Sequence, residues 1–142
     1  PGHLERYKRN ILASIGVARP FDIGVSYILQ PTMLGVEPLS EKEKAIFNSV
    51  KSKWHNLDYS KTRLIFYDRV RQLFKELAGR FADDPSVSIY DLSRVFDKKD
   101  HNVSYYSDQA HYFSIAREKI IDAMTKKITR QIVDHARKRL TK

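Results

Sequence analysis

The sequence predicts an α/β protein in which helices cover both faces of a parallel sheet, and three observations carry that reading. Ile23 to Leu29 is almost continuously apolar, as strands buried on both faces are, and Val87 to Leu92 is a second good strand candidate. Amphipathic helical segments precede, separate and follow them in the order α-β-α-α-β-loop-α, and such alternation favours layered α/β architecture. With 142 residues, 42% of them hydrophobic, the chain can also bury an ordinary core, which argues against disorder.

The first helix is expected from His3 to about Ile15, where Leu4, Tyr7, Ile11, Leu12 and Ile15 form one stripe. Gly16 is the expected stop, and Arg19-Pro20 cannot easily continue a helix. The first strand then runs from Ile23 to Leu29 and ends at Gln30-Pro31-Thr32. A loop containing Gly35 and Pro38 leads to Ser40-Glu41-Lys42-Glu43, which has capping-box spacing with Ser40 as N-cap. The helix it opens carries Ile46, Phe47 and Val50, with Trp54 next in phase. The chain turns around His55-Asn56-Leu57-Asp58, and Ser60 is the expected cap of the next helix. That helix has the clearest period, through Phe66, Val70, Leu73, Phe74, Leu77 and Phe81, and Asp83-Asp84-Pro85 closes it. Val87 to Leu92 is the second strand, and the stretch from Phe96 to Ser107 has no period. The last helix is expected from Ser114 to about Leu140, with Ile120, Met124, Ile128, Ile132 and Ala136 in register.

Two strands make a poor sheet, because continuously apolar strands need neighbours on both edges. The rest of the sheet is therefore expected upstream of Pro1 or in another chain. The alternative is an all-helical bundle in which residues 23–29 and 87–92 are extended connections. Nothing reads as an interdomain linker, so residues 1–142 are expected to be one domain or the C-terminal part of one. Pro1-Gly2 reads as a truncation point, which leaves targeting segments and compartment open.

Composition removes several functions. The chain has no cysteine, which excludes disulfides, thiolate metal sites and a cysteine nucleophile. No apolar run approaches the length of a membrane span. The formal charge is +9, with cations gathered late in Lys126, Lys127, Arg130, Arg137, Lys138, Arg139 and Lys142. These suit a solvated helix face and the negative end of the helix dipole. Nucleic acid is not the expected partner, since no zinc-finger spacing, RNA-binding signature or paired recognition helix is present.

The passage that can carry chemistry is Tyr105-Tyr106-Ser107-Asp108-Gln109-Ala110-His111-Tyr112, between the irregular stretch and the last helix. An acid three residues before a histidine, in a turn, can accept the Nδ1 proton of the imidazole. Nε2 is then free to take a proton from a nucleophile, and the acid stabilises the imidazolium that forms. The passage, followed by Ile120-Ile121, resembles the C-terminal block of the SGNH (GDSL) hydrolase superfamily, an Asp-x-x-His turn before the last helix. Tyr27-Ile28-Leu29-Gln30-Pro31-Thr32 and Pro38-Leu39-Ser40-Glu41-Lys42-Glu43 are similar to stretches of the same family.

The resemblance implies the C-terminal half of a three-layer α/β/α, flavodoxin-like fold. It implies Ser-His-Asp hydrolysis of an O-acyl ester of a sugar, lipid or small molecule, with His111 as general base and later acid, and Asp108 orienting it. No cofactor or metal is implied. The family's Gly-Asp-Ser nucleophile block is missing, since none of the five glycines precedes Asp-Ser, and there is no G-x-S-x-G elbow. Nucleophile and oxyanion donors are accordingly expected outside this chain, in an N-terminal segment or a second chain that completes the sheet. A degenerate relative without the reaction is the alternative account. Alone, these residues are expected to be inert. The rival reading is a non-catalytic interaction subunit on a hydrolase-derived scaffold, binding an acidic partner through its basic C-terminal helix.

Other residues read more simply. His101 shares the loop of Asp108 and could line a pocket mouth, but an exposed loop residue is the plainer reading. His3, His55 and His135 have no metal-ligand spacing and read as surface. Asp91 ends the second strand, where α/β ligands often sit, though a capping or loop-bonding role is simpler. Trp54 and Tyr105-Tyr106 could stack on a substrate or serve as core and loop packing.

Overall fold

The computed structural model describes residues 2–33, 39–53, 59–97, 102–108 and 111–140, with the side chains of 50–53 and 59–61 excepted. It is a mixed helix and strand protein with four α-helices and one small parallel sheet among those residues. The elements are α1 (His3–Ala18), β1 (Val25–Leu29), α2 (Glu41–Lys53), α3 (Tyr59–Arg80), β2 (Val87–Asp91) and α4 (Ser114–Leu140). No described helix is long and apolar enough to cross a membrane. The chain forms two compact units, one from residues 1–29, 69–91 and 124–142, the other from residues 30–68 and 92–123.

The first unit holds the sheet. β1 and β2 pair in parallel, Val25 opposite Val87 through Leu29 opposite Asp91. Strand residues alternate between faces. Tyr27 turns toward α1, where its hydroxyl contacts Ser14 and lies 3.5 Å from the Ile11 carbonyl. On the same face Asp91 meets Arg71 of α3 at 3.3 Å. Ser26 and Tyr90 point the other way, toward α4. The Ser26 hydroxyl bonds the Gln131 side chain, and the Tyr90 hydroxyl donates to the Lys127 carbonyl at 2.9 Å. Ile11, Ile15, Val70, Leu73, Phe74, Leu77, Val87 and Ile89 are buried in this unit, and Tyr7 stacks on Phe74.

Two polar devices hold the strand entries. Gln131 of α4 is buried, and its Nε2 donates to the carbonyls of Val25 at 3.0 Å and Ser86 at 3.3 Å. Before β2, Asp84 Oδ1 accepts the Ser86 amide at 3.0 Å and the Ser86 hydroxyl at 2.5 Å, while Oδ2 accepts Arg19 at 2.7 Å. One carboxylate thus ties the turn into β2 to the end of α1. Burial pushes its pKa up, but the Ser86 hydroxyl, Arg19 and the Ser86 amide outweigh burial and hold it below the usual aspartate value.

The second unit has an aromatic core. Met33, Phe96, Tyr105, Tyr106 and Ala116 are buried together, with Leu39, Ile46, Phe47, Val103, Tyr112 and Ile120 packed against them. Phe96 lies 4.8 Å from Tyr105 and meets Tyr106 edge-on at 5.7 Å, separations at which aromatic pairs attract. The Tyr67 and Tyr112 hydroxyls bond the carbonyls of Gln30 and Pro31, which anchors the segment that follows β1.

Several expectations need correction. Helix α1 does not stop at Gly16 but runs to Ala18, and a 3-10 turn at Arg19–Phe21 follows it. The chain leaves that turn through Asp22, which takes the left-handed conformation at φ 54° that Asp tolerates better than most residues. β1 begins at Val25 rather than Ile23, and β2 ends at Asp91 rather than Leu92. Ser60 lies inside α3, which starts at Tyr59, so it is not the cap. Phe66 is 43% exposed although the residues C-terminal to it on its stripe, Val70 to Phe81, are buried. In the last turns of α4 the packed side chains are Gln131 and, half-buried, His135, whereas Ile132 is 62% exposed and Ala136 is exposed. A helix rotates 100° per residue, so a polar pair one step earlier takes the inward face. Trp54 and the turn at 55–58 lie outside the described residues.

These devices give two expectations. Gln131→Leu leaves the Val25 and Ser86 carbonyls without their side-chain donor, and should cost about 1–3 kcal/mol. Urea unfolding with an unchanged slope and a lower midpoint would register this. Asp84 has a folded pKa below its unfolded value, so its contribution is complete above the ordinary aspartate range. That contribution is lost as pH falls through the depressed folded value. Arg19→Met and Ser86→Ala should flatten the acid limb of a stability–pH profile, and an unaltered limb would contradict the assignment.

Candidate active site

The site is built on a short hairpin in the second unit. Tyr106 and Tyr112 form an antiparallel bridge, the Phe113 amide donates to the Tyr105 carbonyl at 2.9 Å, and the Ser107 amide donates to the His111 carbonyl at 3.0 Å. The hairpin therefore brings Asp108 and His111 to its tip. Phe113 then leads directly into α4, where the amides of Ala116 and Arg117 bond its carbonyl.

Asp108 uses both carboxylate oxygens on one residue. Oδ1 accepts the His111 backbone amide at 2.8 Å, and Oδ2 lies 2.6 Å from His111 Nδ1. The first bond fixes where the His111 backbone leaves the turn, and the second fixes the plane of its ring. An ionised carboxylate can only accept, so the nitrogen facing it carries the hydrogen. Nε2 then holds the lone pair, on a side chain that is 80% exposed. A neutral imidazole so oriented can take a proton from a donor that approaches Nε2, and the carboxylate then stabilises the cation.

The hairpin stands on rings that do not titrate near neutrality. Tyr106 is wholly buried, its hydroxyl has no hydrogen-bond partner among the described residues, and burial raises its pKa far above the usual tyrosine value. Burial pushes the Tyr112 phenol up to about 12. Both remain neutral wherever a histidine could act as a base. Lys42 lies 4.5 Å from the centre of the Phe113 ring, and Lys119 covers Tyr105 at 4.8 Å. Buried Tyr105 and Tyr106 are thus supports of the turn and present no face for a substrate to stack on.

Below the hairpin is a residue whose part in the site the motif reading did not notice. Glu43 of α2 is 0% exposed. Its Oε2 accepts the Ser40 amide at 2.8 Å, while the Glu43 amide donates to Ser40 Oγ at 3.3 Å, the reciprocal pair of a capping box. Its other oxygen, Oε1, accepts the amides of Tyr105 at 2.7 Å and Tyr106 at 3.1 Å. The Ser40-x-x-Glu43 spacing announces the cap, but nothing local announces the second use, which joins residues more than sixty positions apart.

The remaining candidates are elsewhere. His101 and His55 lie outside the described residues. His3 is exposed at the start of α1, with Nδ1 3.3 Å from Arg6. His135 is not the surface residue expected: its side chain is largely buried, with Nε2 3.6 Å from Asp22. Asp91 pairs with Arg71. Among the described residues no three His, Asp or Glu side chains are grouped to hold a metal ion. A cavity of about 600 Å³ lies in the first unit between β2 and α4, where Lys126, Lys127 and Arg130 face Asp83, Asp84 and Asp134. Its lining charges balance, and neither Asp108 nor His111 belongs to it.

No family model, no curated protein and no solved structure matches the chain. The chemistry of the site therefore has to be argued from its geometry.

If Asp108 selects the ring form, Asp108→Ala should release both the His111 amide and its imidazole. Nitrogen-15 shifts of the His111 ring should then move away from the Nδ1-protonated pattern. Identical ring shifts in the two proteins would refute the coupling.

Proposed function

We propose that this chain is the C-terminal part of an SGNH-type serine esterase and supplies the acid–base half of its active site. The observation that carries the reading is the Asp108–His111 geometry, a carboxylate 2.6 Å from Nδ1 of an imidazole side chain that is 80% exposed. In the reaction, Nε2 takes the proton of an attacking serine hydroxyl as oxygen bonds to the acyl carbon. His111 then returns that proton to the departing alkoxide, and the same two transfers, with water as nucleophile, release the acid. Asp108 stays ionised and holds the ring between the two roles.

The serine and the oxyanion donors belong to polypeptide outside this chain, which would also extend the two-stranded sheet. The three-layer α/β/α reading draws support from β1 and β2 turning alternate side chains toward α1 and α3 on one side and α4 on the other. Substrates would be O-acyl esters of a sugar, a lipid or a small alcohol, with no cofactor.

In the assembled enzyme, His111→Ala should lower hydrolysis of a short-chain aryl ester by about 10²–10⁴-fold, the usual worth of a positioned general base. Activity close to that of the unsubstituted enzyme would end the proposal. The 142-residue chain alone should neither hydrolyse the ester nor react with a fluorophosphonate, because it lacks the activated serine.

A further inference from the structure

We infer that Glu43 is the positioning residue of the Asp108–His111 pair, acting on the imidazole through the backbone of Tyr105 and Tyr106. The inference rests on the catalytic reading above, and it adds a residue that neither touches substrate nor belongs to the Asp-x-x-His turn.

Removing an ionised group from water is very costly unless charge or hydrogen bonds replace the solvent. Glu43 meets that demand with three backbone amides, those of Ser40, Tyr105 and Tyr106. Bonds from amides to an ionised acceptor are about twice as strong as neutral ones. The same interaction that satisfies the carboxylate therefore fixes the first arm of the hairpin. That arm sets the second, since Tyr106 bridges Tyr112, Phe113 bonds Tyr105, and Ser107 bonds His111. Asp108 and His111 sit between the two arms, so their mutual geometry depends on both. A further bond between the Ser40 and Ser104 hydroxyls, 2.8 Å long, joins the start of α2 to the residue before Tyr105.

A cap role alone would need only Oε2. The use of Oε1 on two consecutive amides is what separates positioning from capping. Glutamine cannot reproduce it, since one of its two ends is a donor. In Glu43→Gln either the Ser40 amide or the Tyr105–Tyr106 pair must face an NH₂ group.

The test uses the chain itself and needs no nucleophile. In Glu43→Gln the Tyr105 and Tyr106 amides should exchange with deuterium at least about tenfold faster, as loss of a charge-assisted bond implies. The nitrogen-15 shifts of the His111 ring should move toward those of the Asp108→Ala chain. Leu77→Ala, destabilising through the other unit, should leave the ring shifts unchanged. Ring shifts identical to the unsubstituted chain, with the two amides deprotected, would reduce Glu43 to a helix cap and overturn the inference. Should Glu43→Gln not fold, native-state exchange of the unsubstituted chain in low urea decides instead. The two amides and the Nδ1-protonated ring signal should then share one opening equilibrium, and separate openings would overturn the inference. Retained activity in the His111→Ala enzyme would remove the catalytic role of the pair without touching this result.

Discussion

The second unit depends on one carboxylate that water does not reach. Glu43 carries a carboxyl group into an aromatic core, where main-chain amides from two distant parts of the sequence bond it. An apolar side chain at position 43 would remove the acceptor and leave three amides to be satisfied by other means, each at a cost comparable to a lost hydrogen bond. The carboxyl group uses both oxygens, Oε2 on Ser40 and Oε1 on Tyr105 and Tyr106. It converts the start of α2 into a fixed point from which the hairpin is hung.

The hairpin illustrates how rigidity and exposure can coexist within a few residues. Phe96, Tyr105, Tyr106 and Tyr112 interlock at centroid distances of 4.8–6.0 Å, which restrains the base of the turn by packing. At its tip two polar bonds tie Asp108 to His111, and the His111 side chain is 80% exposed. A side chain this exposed is not restrained by burial. Two oxygens of one neighbouring aspartate are the alternative, one for the backbone and one for the ring. In the first unit Asp84 uses the same economy, with Ser86 on one oxygen and Arg19 on the other.

The legible parts of the sequence were those governed by local chemistry. Ser40 and Glu43 lie one helical turn apart, and both bonds of the box form as that spacing predicts. The two strands, the long apolar stripe of α3 from Val70 to Phe81 and the span of α4 follow from periodicity in the same way. The Asp108–His111 contact was legible because four consecutive residues contain it. What escaped depended on distant partners. Gly16 looked like a stop because glycine weakens helices, yet Ile11, Ile15 and Ala18 are buried on one face and carry the helix past it. The phase of α4 turned on Gln131, whose inward position is set by two carbonyls at the strand entries and not by its own hydrophobicity. Tyr105 and Tyr106 read as rings that could stack on a substrate or serve as core and loop packing, and their contacts with Phe96 and Glu43 place them in the core.

In the proposed reaction, a general base that is fully oriented before its nucleophile arrives divides the work between two polypeptide segments. Orientation of the ring already begins within this chain, through the two Asp108 bonds. Water, however, competes for Nε2 as long as the ring stands in solvent, and a water-filled site also weakens the Asp108–imidazolium attraction. On the proposed reading, a segment that brings the serine would therefore have to do more than place a hydroxyl. It has to exclude water from the outer edge of the imidazole and supply fixed donors for the oxyanion, because preorganised dipoles in a dry site are the larger share of such catalysis. On that proposal the chemistry separates: proton transfer would belong to the Asp108–His111 turn, and stabilisation of the transition-state charge to the surface that closes over it.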